Sequence, residues 1–143
     1  MTPQAPLSSF TTRRRIEFAD TDMGGIVHFA RFFVFLETAE HEFLAAAGTP
    51  VVHERDGHRI GWPRVSASLE YSSPARLGDE LTIELRVARK GTKSMTYEFD
   101  VRVGDRPVAK GTMTSVCCVL DDPAGVRAIP IPADIAGRLA ELS

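Results

Sequence analysis

Cysteine is almost missing from this sequence, and the two present, Cys117 and Cys118, are immediate neighbours. Adjacent side chains on a strand point to opposite faces, so no bridge between them is expected and no disulfide framework can be built. That usage suits a reducing, cytoplasmic setting. Long apolar runs are missing too. Nothing approaches the roughly 20 apolar residues that a membrane-spanning helix needs, so no membrane partner is expected. The first ten residues lack both a charged start and an apolar stretch, which argues against a signal peptide. Excess charge of one sign is also absent: 17 basic residues stand against 19 acidic ones, a formal net charge of −2. A chain so balanced is not built as a polyanion binder, and no nucleic-acid partner is expected.

What remains is an ordinary globular composition in 143 residues, 43% of them hydrophobic. That length predicts one domain with a core large enough to need no staples. Residues 1–10 read as a flexible N-terminal tail and residues 11–143 as a single domain. A short strand is expected over Thr12 to Phe18, with Ile16 and Phe18 on one face. From Phe29 to Ala47 the period becomes helical, with Phe29, Phe32, Phe33, Leu36, Ala39, Phe43 and Ala47 on one stripe. Gly48 and Pro50 supply the stop. Beyond Trp62 the period drops to two. Val65, Ala67, Leu69 and Tyr71 alternate with polar residues, as do Leu81, Ile83, Leu85 and Val87, and then Tyr97, Phe99, Val101 and Val103. Each reads as a half-buried strand, and such alternation suits an antiparallel sheet. Val108 to Leu120 reads as a further long strand, and Asp134 to Leu142 as a short closing helix. One long apolar helix against one antiparallel sheet is an α+β arrangement.

The stretch Asp20-Thr21-Asp22-Met23-Gly24-Gly25-Ile26-Val27-His28 concentrates chemical potential. Two carboxylates and two glycines stand directly before the long helix. A helix N-terminus presents unpaired N–H groups and partial positive charge, which can polarise a carbonyl oxygen. A nearby carboxylate can attack that carbonyl or activate water, and glycine lets backbone approach a ligand closely. The same residues also suit a plain Asx-turn and helix cap.

Residues 17–37, Glu-Phe-Ala-Asp-Thr-Asp-Met-Gly-Gly-Ile-Val-His-Phe-Ala-Arg-Phe-Phe-Val-Phe-Leu-Glu, resemble the opening signature of the 4-hydroxybenzoyl-CoA thioesterase family, including its general acyl-CoA thioesterase branch. Ser73-Pro74-Ala75-Arg76-Leu77-Gly78-Asp79 and Arg127-Ala128-Ile129-Pro130-Ile131-Pro132 resemble later motifs of the same family in the same order. The resemblance spans residues 12–135. It implies the hot-dog fold, an antiparallel sheet wrapped around a long central helix. It also implies a homodimer or homotetramer with active sites at subunit interfaces, and hydrolysis of an acyl-CoA or acyl carrier protein thioester to the free acid. Asp22 takes the place of the catalytic carboxylate, acting as nucleophile or as general base on water, and the backbone N–H of Phe29 that of the oxyanion donor. His28 is a candidate for orienting water or touching substrate, although a capping or packing role suits it as well. Gly25 and Val27 are the expected substrate contacts beside them. The family places CoA phosphate contacts in the region of Arg89 to Ser94, which here offers Lys90, Lys93 and Ser94. No metal and no cofactor is implied, coenzyme A being part of the substrate.

Other residues compete for these roles. Glu40 falls within the apolar stripe of the helix and Glu37 on its flank. A different hot-dog branch carries its catalytic carboxylate on this helix, so Glu40 rivals Asp22. A buried pair with a strand arginine is the expected alternative, since buried charges are normally paired. His41-Glu42 begins a zinc-protease motif that Ala45 leaves unfinished. His53 and His58 lie in a polar loop, and Trp62 suits either an acyl pocket or the core. Two rival functions use the same scaffold: a hydratase or dehydratase of 3-hydroxyacyl or enoyl thioesters, and a non-catalytic acyl-thioester binding protein.

Overall fold

The computed structural model describes residues 5–142. The chain runs from β1 (Ser9–Arg15) through a 3-10 turn (Phe18–Asp20) into the long helix α1 (Arg31–Ala46). Then come the short strands β2 (His53–Arg55) and β3 (His58–Gly61), and the long strands β4 (Arg64–Tyr71), β5 (Glu80–Lys90), β6 (Ser94–Val103) and β7 (Arg106–Val116). Strands β8 (Cys118–Val119) and β9 (Arg127–Ala128) and a one-turn helix α2 (Ala133–Ala136) complete it. The long strands form one antiparallel sheet in the order β1-β5-β6-β7-β4, and the short ones a second sheet, β2-β3-β8-β9. This is the expected α+β hot-dog arrangement.

The period-two pattern does its work in β5 and β6. Leu81, Ile83, Leu85 and Val87, with Met95, Tyr97, Phe99 and Val101, are buried against α1. The helix answers with Phe32, Phe35, Leu36, Ala39, Phe43 and Leu44. The rings of Phe43 and Tyr97 meet edge to face at 5.9 Å. The helix stops where expected: Gly48 takes φ +79°, and the N–H groups of Gly48 and Thr49 return to the carbonyls of Ala45 and Leu44, a left-handed glycine closure.

Several expectations need correction. The tail is shorter than residues 1–10: Ser9 and Phe10 belong to β1 and Leu7 bridges Leu139, while residues 1–4 lie outside the described part. The first strand ends at Arg15, and Phe18 is 80% exposed, because the 3-10 turn rotates it away from Ile16. Helix α1 starts at Arg31, so Phe29 lies before it and is exposed. The strand from Val108 breaks at Cys117, whose N–H still donates to the Lys93 carbonyl next to β6 while its carbonyl accepts from the Ile129 N–H next to β9 of the small sheet. The closing helix is only four residues long. The polar loop around His53 and His58 is a hairpin, turned by Asp56 and Gly57, both with positive φ, as an Asp-Gly pair favours. Trp62 is buried in the core. Strand β4 forms as predicted but its burial does not alternate: Val65 (64% exposed), Ala67 and Tyr71 are uncovered by this chain and Leu69 is only half-buried, β4 being an edge strand.

Candidate active site

The site is built where β1 hands over to α1. Residues Thr21 and Val27 bridge each other and close a small loop. Within it the Asp22 N–H donates to the Ile26 carbonyl at 2.9 Å, and the Gly25 N–H to the Asp22 carbonyl at 3.0 Å. Gly25 takes φ +77°, which only glycine adopts without cost. The Gly24 N–H donates to Asp22 Oδ1 at 2.8 Å. This is the Asx-turn, and it fixes the carboxylate without using it up. The Asp22 side chain is exposed, and among the described residues Oδ2 has no hydrogen-bond partner. A Cβ added at Gly24 would lie 3.2 Å from Asp22 Oδ1, so glycine there keeps the carboxylate's space open.

The start of α1 comes next to this loop. Its cap residue, Ala30, offers no side-chain acceptor. Among the described residues the Phe29 N–H meets no acceptor either. Its neighbours are firmly held. The His28 N–H donates to the Asp20 carbonyl at 2.9 Å, and Tyr71 Oη donates to the Phe29 carbonyl at 2.8 Å. The His28 ring lies 4.9 Å from that of Phe29, both exposed. An exposed, anchored carboxylate and an N–H without an acceptor just before a helix N-terminus are parts that can serve attack on a carbonyl.

Beneath them sits Asp20, 1% exposed. Its carboxylate accepts from the Glu17 N–H at 2.9 Å and from Arg31 Nε at 2.7 Å, with Arg14 Nη2 at 3.7 Å. The Arg14 guanidinium itself lies over the Phe35 ring, 4.4 Å from its centre. Burial alone would raise the pKa of Asp20. The Glu17 hydrogen bond and the two arginines outweigh it and hold this carboxyl below its ordinary value.

Of the residues singled out from the sequence, Asp22, Gly25, Val27, His28 and Phe29 come together here. Val27 needs correction as a substrate contact: its side chain is buried and its N–H is bound by the Ala75 carbonyl. Lys90 needs correction as a phosphate contact. Its ammonium donates to the carbonyls of Ala136 and Leu139, at 3.0 and 2.9 Å, and so caps the C-terminal segment. Lys93 is exposed and Ser94 partly so. Both lie at the far end of the sheet from Asp22, because Ser94 pairs with Val116 while neighbouring Ser115 pairs with Arg64, the opposite end of β4 from Tyr71.

The rival carboxylate is spent. Glu40 is fully buried; Oε1 is bound by Arg64 and Oε2 accepts from Ser115 Oγ at 2.8 Å. This is the expected pair with a strand arginine. His41 Nε2 lies 3.3 Å from the same guanidinium, and His41 is pushed down in pKa by burial and by that cation. Arg14 and Tyr71 were not singled out from the sequence, while Asp20 was noted only as one of two carboxylates before the helix and Arg31 only within the family signature. Asp20 had a local signal, standing two residues before Asp22; Tyr71 had none, since its partner lies 42 residues away.

Residues 16–139 match the family model described as the thioesterase-like superfamily. The chain is similar to a 1,4-dihydroxy-2-naphthoyl-CoA hydrolase of Nostoc punctiforme, 31% identical over 76% of this chain and 74% of that one. It is 30% identical to a 4-hydroxybenzoyl-CoA thioesterase of Pseudomonas sp. (strain CBS-3), over 88% of this chain and 94% of that one. Its fold matches the solved structure of a gentisyl-coenzyme A thioesterase with a TM-score of 0.79 and 27% identity, covering 92% of this chain and 100% of that one.

Proposed function

The chain belongs to the thioesterase-like superfamily and is a thioester hydrolase, and from that premise we propose that it cleaves an acyl-CoA thioester to free acid and CoA, with an aromatic acyl group preferred. The observation that carries the reading is the exposed Asp22 carboxylate, held by one oxygen and free at the other, on a loop that the Thr21–Val27 bridge and the His28 N–H to Asp20 carbonyl bond tie to the segment carrying the unclaimed N–H of Phe29. The thioester carbonyl oxygen accepts from that N–H, where the helix N-terminus favours developing negative charge. Asp22 then attacks the carbonyl carbon and expels CoA thiolate, leaving a mixed anhydride that water opens; or it takes a proton from the water that attacks. Both routes end in a carboxylate and a thiol, and thiolate is a good enough leaving group to depart without a strong acid. The exposed rings of His28 and Phe29 offer an aromatic surface beside the reacting carbon, and three relatives are named for aromatic acyl-CoA substrates.

The reading extends to assembly. Among the described residues β4 pairs only with β7 and leaves its outer edge open. The other edge strand, β1, carries Arg13, Arg14 and Arg15 in a row, charges that discourage pairing. The middle of β4, Val65-Ser66-Ala67-Ser68-Leu69, has none. Two copies joining along β4 about a two-fold axis form the working dimer. The two buried, unpaired cysteines suit a reducing compartment such as the cytoplasm.

The deciding experiment follows thiol release from a panel of aromatic, short-chain and medium-chain acyl-CoA esters and one acyl carrier protein thioester, wild type beside Asp22→Asn. Release fastest from an aromatic acyl-CoA, and lost by at least about a hundredfold in the folded variant, is the expected result, removal of a nucleophile or base typically costing that much or more. A variant as active as wild type would remove Asp22 from the chemistry. Silence across the panel would overturn the substrate class and make hydration of an enoyl-CoA the next assay.

A further inference from the structure

The buried carboxylate of Asp20 touches nothing that reacts, yet it joins three elements whose relative placement defines the site. Arg14 comes from β1, Glu17 from the start of the 3-10 turn, and Arg31 is the first residue of α1. All three converge on one carboxylate. The same residue offers its main-chain carbonyl to the His28 N–H, one residue before the free N–H of Phe29. Asp22 follows two residues later along the chain. Thus Asp20 lies between the two halves of the site, bonded to the segment that carries the N–H and covalently close to the segment that carries the carboxylate.

We propose that Asp20, with Arg31 as its charged partner, is a positioning residue that sets the separation of the Asp22 carboxylate from the Phe29 N–H; this rests on the hydrolytic reading of that pair. Capping explains only part of the arrangement: the Asp20 carboxylate accepts the Glu17 N–H and closes a capping box on the 3-10 turn, but it accepts from no backbone N–H of α1 and instead grips the side chain of the first helical residue. A generic core role does not explain it either. A buried carboxylate facing two guanidinium groups is a costly way to fill space, and apolar residues do so at least as well. What such a charged, directional contact supplies is a fixed angle between loop and helix, and a misplacement of about 1 Å in a reacting pair can cost a factor of about a hundred in rate.

The test compares kcat and KM for thiol release in wild type, Asp20→Asn, Arg31→Gln, Arg31→Lys, and the Asp20→Asn/Arg31→Gln double variant, each checked for folding by far-UV circular dichroism and thermal melting. The expected result is a kcat lowered between about tenfold and a hundredfold in Asp20→Asn and Arg31→Gln, with KM within about twofold of wild type. The double variant is expected to be no slower than the worse single one, since both remove the same contact. Arg31→Lys should recover more of the rate than Arg31→Gln, because the charge is kept. Should Asp20→Asn not fold, Arg31→Gln decides, its side chain being 38% exposed and thus tolerant of change. Wild-type kcat in folded Arg31→Gln would overturn the proposal, as would a raised KM at constant kcat, which would mean that Arg31 grips substrate directly. Asp22→Asn run alongside separates the two levels. If it is inactive while the Asp20 and Arg31 variants are normal, only the positioning role falls. If it is fully active, the reading of the site falls and the positioning role with it.

Discussion

Asp20 and Glu40 are both buried carboxylates, and their surroundings move them in opposite directions. Burial raises Glu40, nearby Glu37 adds to that, and Arg64 and Ser115 only partly offset them, so its carboxyl stays above the ordinary 4.5. At Asp20 burial is overcome by the Glu17 N–H and by Arg31 and Arg14, so its carboxyl lies below the ordinary 3.8. The consequences for stability have opposite sign. The folded state holds the Glu40 proton more tightly than the unfolded chain does. The stabilisation from Glu40 is therefore complete below about pH 4.5 and is lost as pH rises through the folded pKa. Asp20 stabilises above about pH 3.8, and that contribution is lost as pH falls through its lower folded value. Above pH 4.5 the slope due to this pair belongs to Glu40. Thermal melting of Glu40→Gln from pH 4.5 to 7 should show a flatter decline than wild type, whatever the offset between the curves. Parallel curves would mean that Glu40 does not titrate differently on folding. The Glu40 pairing was legible in the sequence because a carboxylate on an apolar helical stripe demands a partner. The ammonium of Lys90 misled, because a cation in a hairpin turn looks solvated until the carbonyls it caps, 46 and 49 residues away, are known.

Among the elements, periodicity carried β5, β6 and the core face of α1, where each strand has one wet and one dry side. It failed where neighbours in space, not in sequence, decide the outcome. Strand β4 has the same alternation as β5, yet its exposure follows from being last in the sheet. Cys117 interrupts what reads as one long strand because its carbonyl turns to the small sheet. One glycine had no signal of this kind and yet holds β4 in place. Gly111 faces Leu69 across the β4–β7 ladder, and a Cβ there would come within 1.9 Å of the Ser68 carbonyl oxygen. Backbone would have to move, not a side-chain tip. Gly111→Ala should therefore lower stability by about 1–3 kcal/mol, the usual cost of overpacking. It should also speed amide hydrogen exchange along Ser68 to Tyr71 more than along β5. A variant with unchanged melting and exchange would show that β4 is not held by this close approach.

For the whole molecule, the two groups of expected site residues lie too far apart in one chain. From Tyr71 to Arg64 is seven residues of strand, about 23 Å, and from β4 to β6 is two strand spacings, so Ser94 lies about 25 Å from the Tyr71 end. Antiparallel pairing of two β4 edges about a two-fold axis, as proposed above, would set the Arg64 end of one chain beside the Tyr71 end of its partner, and would shorten that separation to about 15 Å. Lys93 and Ser94 of one copy would then reach the polyanionic end of a CoA whose thioester sits at Asp22 of the other. Asp22→Asn and Lys93→Glu variants, each impaired alone, should therefore complement when mixed and allowed to exchange subunits. One of the two sites in each mixed dimer combines an intact Asp22 with an intact Lys93 from the other chain. Lys93→Glu should act mainly on KM, because a remote phosphate contact binds ground state and transition state alike. In an equimolar mixture about half of the dimers are mixed, each with one intact site of two, so recovery to about a quarter of the wild-type rate at low substrate, together with a dimer or larger mass by light scattering, is the expected result. If the mixture only averages the two variants, the CoA contacts come from the same chain as Asp22, or Lys93 plays no part in binding. If the wild type is a monomer with full activity, the open edge of β4 has no part in the site.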